Sequence, residues 1–165
     1  MKRIIVTGAN KGIGLGIVRR LLSEYDETFL ILAARSLEKS EQSVSLLLDE
    51  NKTWKNRLIS LKLDVELDDS VTEASEKICS VFDGISEPIH CLINNAGVGD
   101  SYLGMQRVLN VNTWGVKRVC EAFLPLITKK QGRIVNVTSA SGPNFVAKCE
   151  ACLLYTSPSP RDDPL

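Results

Sequence analysis

Short apolar runs alternate along the chain with stretches in which apolar side chains recur every three or four positions. "RIIVT" (3–7) stops at Gly8, and Ile13, Ile17, Val18, Leu21 and Leu22 follow at helical spacing, which predicts a strand and then a helix. "TFLILAA" (28–34) reads as a second strand, followed by a polar helix over Leu37–Glu50 with Val44, Leu47 and Leu48 on one side. "LISLKLD" (58–64) is a third strand. "DDSVTEASEKICSVF" (68–82) is a helix whose Asp68 and Asp69 sit where an amino-terminal turn favours acid. "IHCLIN" (89–94) is a fourth strand, Leu103 to Ile127 supports a long helix ending near Pro125, and "GRIVNV" (132–137) is a fifth strand. Strands apolar on both faces, alternating with helices, define a parallel sheet covered on both sides: a doubly wound α/β domain.

Composition narrows the partners. The 165 residues, 44% of them apolar, suffice for one core, and 20 basic against 20 acidic residues leave no basic face for nucleic acid or an anionic membrane. A small neutral or anionic ligand is the expected partner. Cys79, Cys91, Cys120, Cys149 and Cys152 are scattered, and the single histidine, His90, lies in an apolar run, so no metal site is expected and the thiols read as reduced. The start "MKRIIVTGAN" passes directly into a short strand without the apolar core or cleavage site of a signal peptide, and no run is long enough for a membrane span. A cytoplasmic protein is expected.

Candidate chemistry begins at "TGANKGIG" (7–14), which joins the first strand to the first helix. Gly8 permits a tight turn, Gly12 lets backbone approach a pyrophosphate, and Gly14 lets helix pack close to strand, with the helix amino terminus aimed at phosphate. Strand before and helix after make this a dinucleotide loop of Rossmann type. At the end of the second strand, where an acid would hold a ribose 2′-hydroxyl, the residues are Ala33, Ala34 and Arg35. Arg35, with Lys11, offers two cations to a 2′-phosphate, which favours NADP(H) over NAD(H).

"NNAG" (94–97), "NVNTWG" (110–115) and "VNVTS" (135–139), taken in order with "TGANKGIG", resemble the short-chain dehydrogenase/reductase superfamily over residues 1 to about 150. "TGANKGIGLGIVRRL", "AAR", "LDVELDDSV" and "LPLITKKQGRIVNVTS" look most like its NADPH-dependent carbonyl reductases. The resemblance implies that Asn10, Lys11, Gly12, Ile13 and Arg35 line the adenosine phosphates and that Asp64 and Val65 hold the adenine. It places Asn94, Ala96 and Gly97 beneath the ribose nearer the nicotinamide. It makes Ser139 the catalytic serine and Asn112 the asparagine of the proton relay. In such an enzyme hydride passes from the nicotinamide to the carbonyl carbon of an aldehyde, ketone or quinone, while a serine hydroxyl orients the oxygen on which charge grows. A catalytically silent nucleotide-sensing or scaffold protein of the same fold is the alternative.

The superfamily's proton donor is a tyrosine in Y-x-x-x-K, because a phenol needs a fixed cation to act near neutral pH. Tyr155 is followed four positions on by Ser159, and Pro158 and Pro160 oppose the helix such a pair requires. "CLLYTSPSPRD" (152–162) reads instead as a translated transposase-type sequencing adapter. The expected organisation is therefore an incomplete NADP-binding domain over 1–151 and a foreign, disordered tail over 152–165, with Tyr155 outside the chemistry and the native protein continuing past this point. On this reading the chain itself is inactive.

Overall fold

The structure is a computed structural model and describes residues 1–99, 104–139 and 141–148. Strands β1 (Lys2–Thr7), β2 (Thr28–Ala34), β3 (Leu58–Lys62), β4 (Cys91–Asn94) and β5 (Arg133–Asn136) form one parallel sheet in the order β3-β2-β1-β4-β5. Helices α1 (Gly12–Glu24), α2 (Leu37–Glu50), α3 (Asp68–Val81), α4 (Met105–Leu109), α5 (Val116–Phe123) and α6 (Ser141–Lys148) lie between or after them. β1 pairs with β2 from Lys2 opposite Thr28 to Thr7 opposite Ala33, and on its other side with β4. The chain winds outward from β1 to β3 and then returns to β1's free side. That reversal opens a crevice at the carboxyl ends of β1 and β4, where sheets of this kind bind ligands.

Successive side chains of each strand point to opposite faces, so each apolar run supplies two cores. On one face Ile5, Ile31, Ala33, Leu61 and Leu92 pack against Val71, Ala74 and Ile78 of α3 and Val119 and Phe123 of α5. On the other, Ile4, Val6, Leu30, Leu32 and Ile93 meet Val18 and Leu22 of α1, Leu47 of α2 and Trp54. Each fully buried Ile or Leu contributes on the order of 1.5–3 kcal/mol. The doubly wound parallel sheet expected from the pattern is the fold.

Several boundaries differ from the sequence expectation. The third strand stops at Lys62, not at 64, because Asp64 folds into a turn in which its Oδ1 accepts from the Glu66 N–H (3.1 Å) and its own N–H donates to Ser70 Oγ (3.0 Å). The fourth begins at Cys91, with Ile89 held only by an isolated bridge to Ile127. The long helix is not continuous. A π-helical segment over Asn110–Gly115 separates α4 from α5, and a 3₁₀ turn at Leu124–Leu126, containing Pro125, ends it. Leu103, Cys149, Cys152, Tyr155 and the 152–165 tail lie outside the described residues.

Two helices show how local chemistry sets an end. Ser36 Oγ accepts from the Lys39 N–H and caps α2. At the carboxyl end of α1, Arg57 is buried (7% exposed) and donates to the carbonyls of Leu22 (3.0 Å), Tyr25 (2.9 Å) and Thr28 (3.4 Å). Among the described residues no helix is long and apolar enough to cross a membrane.

Among the described residues β5 pairs only with β4, and Ile134, Val135 and Val137 on and beside it are 39–44% exposed. An unpaired β-branched edge recruits other strands. Val135→Lys is expected to raise the concentration at which the chain begins to scatter light while leaving its urea midpoint nearly unchanged; static light scattering and denaturant titration check this.

Candidate functional site

The site begins where β1 and β4 end side by side. Thr7 is buried, and its Oγ1 donates to the Ile93 carbonyl (3.4 Å) and accepts from the N–H groups of Asn95 and Ala96, each at 3.0 Å. Asn95 Nδ2 returns to the carbonyls of Thr7 (2.9 Å) and Gly8 (3.2 Å). The glycine loop and the "NNAG" loop are thereby one unit. Gly8 has φ +62°, and a Cβ there would lie 2.8 Å from the Ala96 Cα, so a side chain is doubly excluded. A Cβ on Gly14 would lie 2.5 Å from Asn95 Nδ2 and 2.7 Å from the Gly8 carbonyl oxygen, so the first turn of α1 packs directly on the two loops.

Above this unit lies a cleft of about 590 Å³. Of the residues expected to bind cofactor, Gly8, Asn10, Lys11, Gly12, Ile13, Gly14, Arg35, Asp64, Val65, Ala96 and Gly97 all line it. Sequence reasoning missed Ser36, Lys39 and Glu66, which line it too. The missed signal was that Ser36 caps α2, which turns Lys39, one turn on, toward the same end as Arg35.

The residues fit a dinucleotide. Gly12 has φ +55°, and a Cβ on it would meet nothing within 4 Å, so bare backbone faces open space. The α1 amino terminus has no side-chain cap and no acid in its first turn, unlike α2. Its free N–H groups and positive dipole end favour an anion. Among the described residues Lys11, Arg35 and Lys39 have no side-chain hydrogen bond or ion pair. On the opposite wall Glu66 is neutralised by a two-point pair from Arg107 Nη2 (3.0 Å) and Nε (3.2 Å), which in turn holds the guanidinium pKa above its ordinary value. The cleft is therefore positive at the α1 and α2 ends, while at the 64–66 turn Arg107 offsets Glu66 but leaves the Asp64 carboxylate without an ion pair among the described residues. No group of three or more acidic, His or Cys side chains among the described residues could hold a metal ion.

A second cleft of about 520 Å³ continues from the first and shares Asn95, Ala96, Gly97 and Val98 with it. It brings together Asn112 from the π-helical segment and Thr138 and Ser139 from beyond β5. Ser139 is exposed at its mouth. Asn112 makes a two-point contact with one residue: its Oδ1 accepts from the Val98 N–H (2.9 Å) and its Nδ2 donates to the Val98 carbonyl (2.7 Å). Its amide fastens the loop. Asn94 lines the floor of this cleft but is 4% exposed and lies outside the first, its Nδ2 donating to Asn136 Oδ1 (2.9 Å) and Cys120 Sγ (3.3 Å). It braces β4 against β5 and α5.

A glycine loop opening an uncapped helix at the crevice of a doubly wound sheet defines a dinucleotide-binding protein. The short chain dehydrogenase family model matches residues 2–152, and the chain belongs to that family. It is 33% identical over 148 residues to bovine mitochondrial D-beta-hydroxybutyrate dehydrogenase, covering 86% of this chain and 42% of the relative. It is 30% identical over 152 residues to mouse carbonyl reductase [NADPH] 1, covering 88% of this chain and 51% of that one. Among solved structures it is similar to an alcohol dehydrogenase from the archaeon Thermococcus sibiricus complexed with 5-hydroxy-NADP, with TM-score 0.72, 29% identity, and 91% and 61% of the two chains covered. The chain spans about half the length of the curated relatives it matches.

Thr7→Val keeps the shape of the side chain but leaves the Asn95 and Ala96 N–H groups without their acceptor. Denaturant unfolding should show a loss of about 1–3 kcal/mol, with nucleotide binding weakened in parallel; an unchanged midpoint would mean the two loops do not depend on this hydroxyl.

Proposed function

We propose that this chain forms the cofactor half of an NADPH-dependent reductase acting on an aldehyde, ketone or quinone. The observation that carries the cofactor choice is the set of three unpaired cations, Lys11, Arg35 and Lys39, at one end of the first cleft, with no acid at the end of β2. A 2′-phosphate is the anion such a set suits, and a guanidinium can hold it by two parallel hydrogen bonds. The mouse relative's name specifies NADPH, and the Thermococcus structure holds an NADP derivative; both support the same reading.

When bound, the dinucleotide supplies the hydride. This chain's residues hold and orient: the α1 amino terminus and Lys11 take the pyrophosphate, Asp64 and Val65 flank the adenine, and Ala96 and Gly97 floor the inner ribose. Ser139, at the mouth of the second cleft, orients the carbonyl oxygen and donates to it as negative charge develops. Asn112 acts by fixing Val98 and the loop that both clefts share. No described residue is assigned as the proton donor.

Arg35→Asp places a like charge against the 2′-phosphate and is expected to shift the NADPH-to-NADH affinity ratio by about 1–3 kcal/mol toward NADH. Binding calorimetry with the two cofactors checks it, and an unchanged ratio removes Arg35 from the phosphate site. In a full-length protein, Ser139→Ala is expected to lower turnover by about a hundredfold with NADPH affinity nearly intact. Near-normal turnover would remove Ser139 from the chemistry.

A further inference from the structure

The 64–68 turn, which walls one end of the first cleft, is fastened to the helix carrying Asn112 by two arginines. Arg107, one turn before the π-helical segment, pairs with Glu66. Arg118, just beyond it, donates from Nη1 to the Val65 carbonyl (3.0 Å) and from Nη2 to Asn110 Oδ1 (2.9 Å), while its Nε pairs with Asp68. The Asn110 contact spans the π-helical segment from its first residue to α5. Between the two arginines Gly115 packs directly on the turn: a Cβ on it would lie 3.0 Å from both the Val65 carbonyl oxygen and its Cγ2.

A π-helical register is uncommon, because it departs from the favoured hydrogen-bond spacing, and it persists where surrounding contacts hold it. Here the holding contacts come from the wall of the nucleotide cleft. The segment they hold presents Asn112, whose amide in turn fixes the Val98 backbone. We infer that Arg118 is a positioning residue: by bracing the π-helical segment against Val65 it sets Asn112 and the Val98 loop, so that occupancy of the adenosine end of the first cleft is felt in the second. The ligand-linked part of this inference rests on the nucleotide reading of the first cleft; the bracing part does not. The path runs by hydrogen bonds from the Val65 carbonyl through Arg118 to Asn110, along the backbone to Asn112, and by hydrogen bonds again to Val98, a contiguous series of the kind that can carry coupling.

Hydrogen exchange of the Val98 amide is the direct readout, since its N–H is held by Asn112 Oδ1. In the chain without nucleotide, Arg118→Met should speed Val98 exchange by about tenfold or more, while Ile5 in β1 and Leu30 in β2 keep their protection. Arg118→Gln, which retains one donor for the Val65 carbonyl, should give a smaller increase and serves if the Met variant folds poorly. Adenosine 2′,5′-bisphosphate, which carries the adenosine half alone, should slow Val98 exchange in the wild-type chain and fail to do so in Arg118→Met. Unchanged Val98 exchange in both variants, or equal slowing by the nucleotide in wild type and variant, overturns the inference. If the nucleotide binds neither chain yet Arg118→Met still frees Val98, the bracing role stands and the cofactor reading falls.

Discussion

The site depends on how closely two strand ends approach. Gly8 and Ala96 pass at a distance that leaves no room for a second Cβ, and the Thr7 hydroxyl satisfies the backbone on the far side of that contact. Parallel pairing of β1 with β4 brings the ends side by side, but pairing alone would let each loop turn away independently. The hydroxyl and the Asn95 amide hold both loops to one geometry, and everything else is referred to it. The phosphate-facing backbone of Gly12 lies downstream of Gly8, and Val98 lies downstream of Ala96. Asn112 reaches the second cleft by gripping Val98. A displacement at the Gly8–Ala96 contact would therefore move both clefts together.

What the sequence revealed and what it concealed divide along physical lines. β2 and α2 fall where the residue pattern puts them, since a strand buried on both faces and a polar helix with one apolar side show in residue spacing alone. The glycine loop was legible because its residues act through backbone freedom, a property each glycine has by itself. The π-helical segment was not, since "NVNTWG" keeps apolar spacing compatible with an unbroken helix, and the contacts that flank the altered register are with residues 65 to 68, far away in sequence. Asn112 and Asn94 were recognisable as residues of interest, yet their partners are 14 and 42 positions away for Val98 and Asn136, and a linear reading cannot supply them. Lys39 was missed for a different reason: its place follows from how α2 starts, and a helical lysine looks the same in sequence whether it faces solvent or a cleft.

Charge in the first cleft is sorted by what each side chain already holds. Arg107 and Arg118 belong to acids and carbonyls of the 64–68 turn, whose carboxylates Asp64, Glu66 and Asp68 they offset only in part, so among the described residues that end offers an anion no free cation. Lys11, Arg35 and Lys39 have no such obligations. The same residue type thus serves as scaffold on one wall and as field source on the other.

Arg57 extends this sorting to the helix itself. A helix places opposite partial charges at its two ends, and in a short helix each end weakens the field of the other. By donating to the carbonyls of Leu22 and Tyr25, the buried guanidinium covers the negative pole, its own charge shared with the exposed Asp26 carboxylate at 3.5 Å. With 13 residues, the helix carries that pole roughly 20 Å from the glycine loop. The phosphate end consequently faces the cleft as one exposed pole, its counterpart quenched inside the protein. A residue with no atom in either cleft helps to set the potential an incoming anion meets.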